Sequence, residues 1–89
     1  MLFMVIEKFR GGSPDAVGER FRARGRLIPA SSAIEYVDSW MAADGSRCYQ
    51  LMRAPAAEAL TPWMDAWSDL VEFEVVLVQS SAEFWSGRG

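Results

Sequence analysis

The chain has 89 residues and a formal charge of −3, with about half of its residues apolar and a quarter charged, which describes one folded domain rather than two modules, a disordered segment or a membrane protein. It has no histidine and a single cysteine, Cys48, so the commonest general base and metal ligand are missing and no internal disulfide or cysteine-rich zinc site can form. Neither a metal nor a cofactor is expected, and a reducing, cytoplasmic compartment is the simplest setting for the lone thiol.

The opening MLFMVI is apolar but short, with no basic region before it and no small-residue cleavage site after it. It reads as the start of a strand, not as a signal peptide or a membrane span, and no later stretch approaches the roughly 20 apolar residues that cross a bilayer. The first strand is expected over Leu2 to Phe9, ending at Gly11-Gly12, because a short run of branched and aromatic residues closed by glycines is how a strand covered on both faces looks. Ser13-Pro14-Asp15 then supplies an N-cap, a first helical residue and an acid near the positive helix end. The helix runs from about Pro14 to Arg24 with Gly25 as its stop, and turns Ala16, Val17 and Phe21 to one side.

Beyond a loop around Pro29 to Ser32, the segments Ile34 to Met41 and Arg47 to Arg53 both alternate. With Asp44-Gly45 between them they form an antiparallel hairpin with a loop longer than two residues. Leu60, Trp63, Met64 and Trp67 make a helical stripe that buries two indoles against a sheet. Pro62 inside a continuous helix costs about 3 kcal/mol, which predicts a helix broken or kinked there and ending near Ser68. Val71 to Val78 is the fourth strand, and Ser80 with Glu83 marks a capping box that opens a short terminal helix containing Phe84 and Trp85, aromatics of a kind that usually pack onto something.

The order strand, helix, strand, strand, helix, strand is the split βαβ pattern of an α+β, ferredoxin-like sandwich: four antiparallel strands with both helices on one face. Strand alternation divides the apolar residues between two faces. Leu2, Met4, Ile6, Tyr49, Leu51, Phe73, Val75 and Leu77 are assigned to the helix side, and Phe3, Val5, Cys48, Met52, Val76 and Val78 to the open side. Four strands about 20 Å long and about 4.8 Å apart leave roughly 400 Å² of open face, large for an apolar patch on a monomer. A face-to-face homodimer covers it, which makes a second copy the expected partner and a dimeric α+β barrel the expected assembly.

The segments MLFMVIEKFR, ERFRARGRLIP, EYVDSW, RCYQLM, WSDLVEFEVV and SSAE, in this order along nearly the whole chain, resemble the small bacterial family catalogued as domain of unknown function 3303. The resemblance implies a ferredoxin-like dimeric α+β barrel and no particular activity.

Among residues able to carry chemistry, Glu7, Cys48 and Gln50 share the expected barrel-facing side of the two central strands, with Asp38 or Ser39 on the neighbouring strand. A carboxyl, a thiol and an amide in an apolar cavity suit a small polar ligand, and a buried Glu7 suits proton transfer; a polar network tying two subunits together is the structural alternative. Glu7 is thus the weak candidate for a catalytic residue, and Cys48 lacks a histidine to activate it as a nucleophile. Tyr36, Asp38 and Trp40 alternate on one face, able to line a pocket with aromatic walls or to pack as core beneath a helix. The two indoles of the second helix read as core. The loop Lys8 to Pro14 has two bases and two glycines but no phosphate-binding motif, and reads as a plain strand-to-helix turn.

Six bases and three acids fall within residues 1 to 26, three bases and nine acids in the rest, so the two segments carry +3 and −6. Arg20, Arg22, Arg24 and Arg26 do not form one helical stripe at this spacing, and no RNA-binding aromatic signature accompanies them, so no nucleic acid is expected and pairing with acids such as Asp65, Asp69 or Glu72 is. The expected function is a homodimer binding a small molecule, with cofactor-free catalysis as its extension; the alternative is a non-enzymatic assembly or regulatory domain whose barrel is filled by side chains. A cavity of about 300 Å³ around Glu7, Cys48 and Gln50 separates the two.

Overall fold

The computed structural model describes residues 1–88. Strands β1 (Leu2–Phe9), β2 (Glu35–Met41), β3 (Arg47–Arg53) and β4 (Val71–Val78) form one antiparallel sheet in the order β2-β3-β1-β4. The sheet order and the alternation of its strands with α1 (Asp15–Arg24) and α2 (Thr61–Asp65) give the expected α+β, ferredoxin-like arrangement. A terminal helix, α3 (Ser81–Ser86), follows β4.

Local chemistry sets the boundaries. β1 gives way to a tight turn over Arg10–Gly12 in which Gly11 and Gly12 take φ of 81° and 79°, conformations that glycine adopts without strain. Arg10 is tied down there, its Nε donating to the Ser68 carbonyl at 2.9 Å and its guanidinium lying 3.9 Å from Glu72, so this loop is the plain turn expected of it. Ser13 Oγ accepts from the Asp15 amide at 3.2 Å, and the Gly25 amide closes α1 on the Phe21 carbonyl. Pro62 breaks the second helical region as expected: a 3₁₀ turn over Ala57–Leu60 precedes a five-residue α2 with proline in its first turn. Ser80 Oγ accepts from the Glu83 amide at 3.0 Å, completing the cap of α3. Trp85 meets Phe84 edge-on and is 67% exposed, and α3 buries none of its residues.

The faces of the two central strands are the reverse of the expected ones. Phe3, Val5, Glu7 and Phe9 of β1 are buried, and across the ladders they stand beside Met52, Gln50 and Cys48 of β3 and Leu77, Val75, Phe73 and Val71 of β4. This face, not its opposite, carries α2, whose Trp63 joins Leu60 and Trp67 in the core with Val5, Met52 and Val71. Leu2, Met4 and Ile6, with Tyr49 and Leu51 beside them, line the open face together with Val76 and Val78. The sheet therefore has one covered and one bare apolar side, as the alternation demands, but Glu7, Cys48 and Gln50 lie on the covered one. In β2 a bulge between Tyr36 and Asp38 breaks the alternation. Tyr36, Ser39 and Met41 pair with Met52, Gln50 and Cys48 on the covered face, whereas Asp38 and Trp40 pair with Leu51 and Tyr49 on the open one.

Two indoles fix the segment after α1. Trp63 Nε1 and Trp67 Nε1 donate to the same carbonyl, that of Arg26, at 3.1 and 2.8 Å. The next residue, Leu27, takes a left-handed φ of 61°, costly for a side chain larger than glycine and held by this anchorage. Arg20 forms the pair expected of the arginine cluster, gripping Asp69 through two hydrogen bonds of 2.8 and 2.7 Å while also donating to the Ala66 carbonyl.

Candidate functional site

Between α1 and the covered face of the sheet lies a cleft of about 300 Å³. It exists because α1 buries none of its residues: Val17 is only half-buried and Phe21 is 44% exposed, so the helix roofs the sheet without filling the space beneath it. The floor comes from Glu7 and Phe9 of β1, Cys48 and Gln50 of β3, and Ser39 and Met41 of β2; the indoles of Trp63 and Trp67 close one wall. Arg26 enters from the chain that leaves α1.

Register explains why the polar groups meet. Glu7 stands directly beside Cys48, and Gln50 directly beside Ser39, so three adjacent strands deliver four polar side chains to one patch. Glu7, 4% exposed, is the one charged residue in the core among the described residues. Burial raises its carboxyl above the usual value of 4.5, against opposing contributions from Gln50, Cys48 and Arg26. Cys48 is pushed up to about 11 by burial first and by the neighbouring Glu7 second. The thiol therefore stays protonated near neutrality and is a poor nucleophile. Iodoacetamide at pH 7.5 is expected to alkylate Cys48 about tenfold or more slowly in the native chain than in urea; equal rates would contradict this environment.

Arg26 is the unusual member. Its guanidinium carbon lies 3.4 Å from the Tyr36 ring centroid and 5.2 Å from that of Phe21, a cation-π clasp. Yet its Nε is buried without an acceptor, and Gln50 Oε1 is buried without a donor. Groups left so cost about 1–3 kcal/mol each unless something else satisfies them. Tyr36 takes a supporting place: its hydroxyl bonds Ser39 Oγ at 2.7 Å while its ring carries Arg26.

Of the six residues singled out from sequence, Glu7, Cys48 and Gln50 line the cleft and Tyr36 braces it. Asp38 and Trp40 do not; the bulge sends both to the exposed open face, Trp40 at the edge strand. Arg26 was not distinguished from the other arginines, and its only sequence signal is its place just past the helix-ending Gly25, outside the helix that carries Arg20, Arg22 and Arg24.

Replacing Glu7 by glutamine isolates its titration. A raised carboxyl favours the fold while it holds its proton: that contribution is complete below the unfolded value of 4.5 and is lost as pH climbs through the raised folded value. The urea midpoint of Glu7→Gln should therefore gain on that of the wild type as pH rises from 4 to 8. An offset that stays constant over that range would show that Glu7 ionises as freely in the cleft as in the unfolded chain.

No grouping of acidic and cysteine side chains able to hold a metal ion occurs among the described residues, and no helix among them is long and apolar enough to cross a membrane. Residues 1–86 match the family model described as a domain of unknown function, DUF3303. No curated protein and no solved structure matches the chain.

Proposed function

The chain belongs to the DUF3303 family, a domain of unknown function, and from that premise we propose that it is a small-molecule-binding protein that acts as a face-to-face homodimer in the cytoplasm. The observation that carries the binding role is the unfilled cleft of about 300 Å³ whose lining includes Glu7, Gln50 and Arg26. That volume meets the lower bound for ligand pockets, and its mix of apolar walls with a few convergent polar groups is their usual composition. A cofactor-free proton-transfer enzyme is the second reading, favoured by the burial of Glu7 beside the void and the rise it gives the carboxyl.

Dimerisation is supported by the open face. Leu2, Met4, Ile6, Tyr49, Leu51, Val76 and Val78 form its apolar body, flanked by Asp38 of β2 and Glu74 of β4, on a face of roughly 400 Å² by strand spacing and length. Arg47, Lys8 and Glu72 form one row across three strands at its end. A row with both signs is what a self-complementary contact needs.

A thermal-shift panel of small acids and neutral aromatics tests the cleft, run on the wild type and on Val17→Trp, which places an indole in the void from the half-buried face of α1. Ligands should raise the melting temperature of the wild type and not of the variant. Flat melting temperatures across the panel, or shifts that survive in the variant, would remove the cleft as a binding site.

A further inference from the structure

The polar lining of the cleft is specific about what it lacks. Arg26 carries a permanent positive charge, and its guanidinium rests on two aromatic faces with its Nε unbonded. The ion pairs of the described residues involve Arg10, Arg20 and Arg53 instead. In the same cleft Gln50 offers an amide oxygen with no donor. An occupant that satisfies both groups brings an anionic acceptor and a hydrogen-bond donor together. The rest of the lining is apolar and largely aromatic, with Phe9, Phe21, Trp63 and Trp67 around a space of about 300 Å³, which suits a single ring with short substituents.

We propose that the cleft binds a single-ring aromatic monocarboxylate carrying a hydroxyl or amino group, its carboxylate on Arg26 and its donor on the Gln50 amide oxygen. This deepens the reading of the cleft as a ligand site and rests on it. One guanidinium balances one negative charge, and the apolar walls disfavour a second, so a phosphate dianion is excluded by charge. Glu7 makes the site selective in a further way. Ionised, it places a second negative charge in the same cleft as the ligand's carboxylate; protonated, as its burial favours, it leaves the Arg26 charge for the ligand. The charged or titratable groups facing Glu7 are Arg26 and Cys48. Phe73 of β4, Ser39 of β2, Val17, Gly18 and Phe21 of α1 and the indoles of Trp63 and Trp67 do not titrate. Binding is therefore accompanied by a proton held on Glu7, and weakens as pH rises through the carboxyl's raised value.

Calorimetric titration with 3-hydroxybenzoate and with its neutral counterpart 3-hydroxybenzyl alcohol tests this on the whole chain. The acid should bind the wild type about tenfold or more tightly than the alcohol. Arg26→Gln should erase that preference, and Arg26→Lys should keep part of it. Affinity of the wild type for the acid should fall between pH 5.5 and 8.5, and Glu7→Gln should flatten the profile. Equal binding of acid and alcohol by the wild type overturns the ligand class and leaves the cleft reading standing. A preference that persists in a folded Arg26→Gln overturns the role of Arg26, and the wild-type comparison decides the class even where a variant does not fold. Binding of neither probe overturns the inference, and the broader panel on wild type and Val17→Trp then decides the cleft by itself.

Discussion

Trp63→Ala is expected to destabilise the domain by about 3–5 kcal/mol, a large part of the roughly 5–15 kcal/mol that holds a domain together. Trp63 is 1% exposed, its ring leans on Phe73 with centroids 5.9 Å apart, and its N–H donates to the Arg26 carbonyl. Alanine deletes the whole indole from a site that cannot collapse, because α2 is only five residues long and is braced by the 3₁₀ turn before it. Trp63→Phe keeps a ring and loses chiefly the hydrogen bond, so it should cost less, about 1–2 kcal/mol. Urea unfolding at equilibrium measures both. The damage should extend to the cleft, since Trp63 and Trp67 together hold the carbonyl that stations Arg26. A loss below about 1.5 kcal/mol for Trp63→Ala would mean that α2 is not what anchors the covered face.

The elements were legible because each carried a local signal with a physical cause: alternation for the hairpin, glycines at positive φ after β1, Pro62 at the helix break. The side of the sheet on which each central strand's residues lie was not. LFMVIEKF is apolar in both parities, so neither face of β1 declares itself by hydropathy. The charges at the strand ends did hold the answer. Arg47 and Arg53 alternate with Tyr49 and Leu51, and Lys8 follows Leu2, Met4 and Ile6 in the same parity, whereas Cys48, Gln50 and Met52 share their face with no base on β3. Long basic side chains avoid a fully covered face, which would have turned β1 and β3 the right way. The bulge at β2 had no such marker, because Val37 and its neighbours are ordinary strand residues. That is why Tyr36 and Trp40, two apart in sequence from Asp38 on either side, part company in the structure. The set Glu7, Cys48 and Gln50 survived the reversal, since all three turn over together when both strands do. Arg26 stayed hidden because its place depends on two indoles some 40 residues further along the chain.

Met4→Asp should convert the proposed dimer into a monomer without unfolding the chain. Met4 sits at the centre of the open face, with Leu51 on one side and Val76 on the other, and in a single subunit it is only half-buried. A carboxylate there remains in contact with water in the monomer, so the fold should lose no more than about 1 kcal/mol. In a face-to-face dimer the same carboxylate meets its own symmetry mate across an apolar contact, unpaired and desolvated, at several kcal/mol for each copy. The dissociation constant should rise about a hundredfold or more. Sedimentation velocity at about 50 µM then distinguishes the species: two subunits for the wild type, one for the variant. A wild type that sediments as a single subunit would refute the dimer. The same variant separates the two halves of the functional reading, because the cleft opens on the opposite side of the sheet from Met4. Ligands of the cleft should bind monomeric Met4→Asp as they bind the wild type; their loss would show that the second subunit contributes to the site.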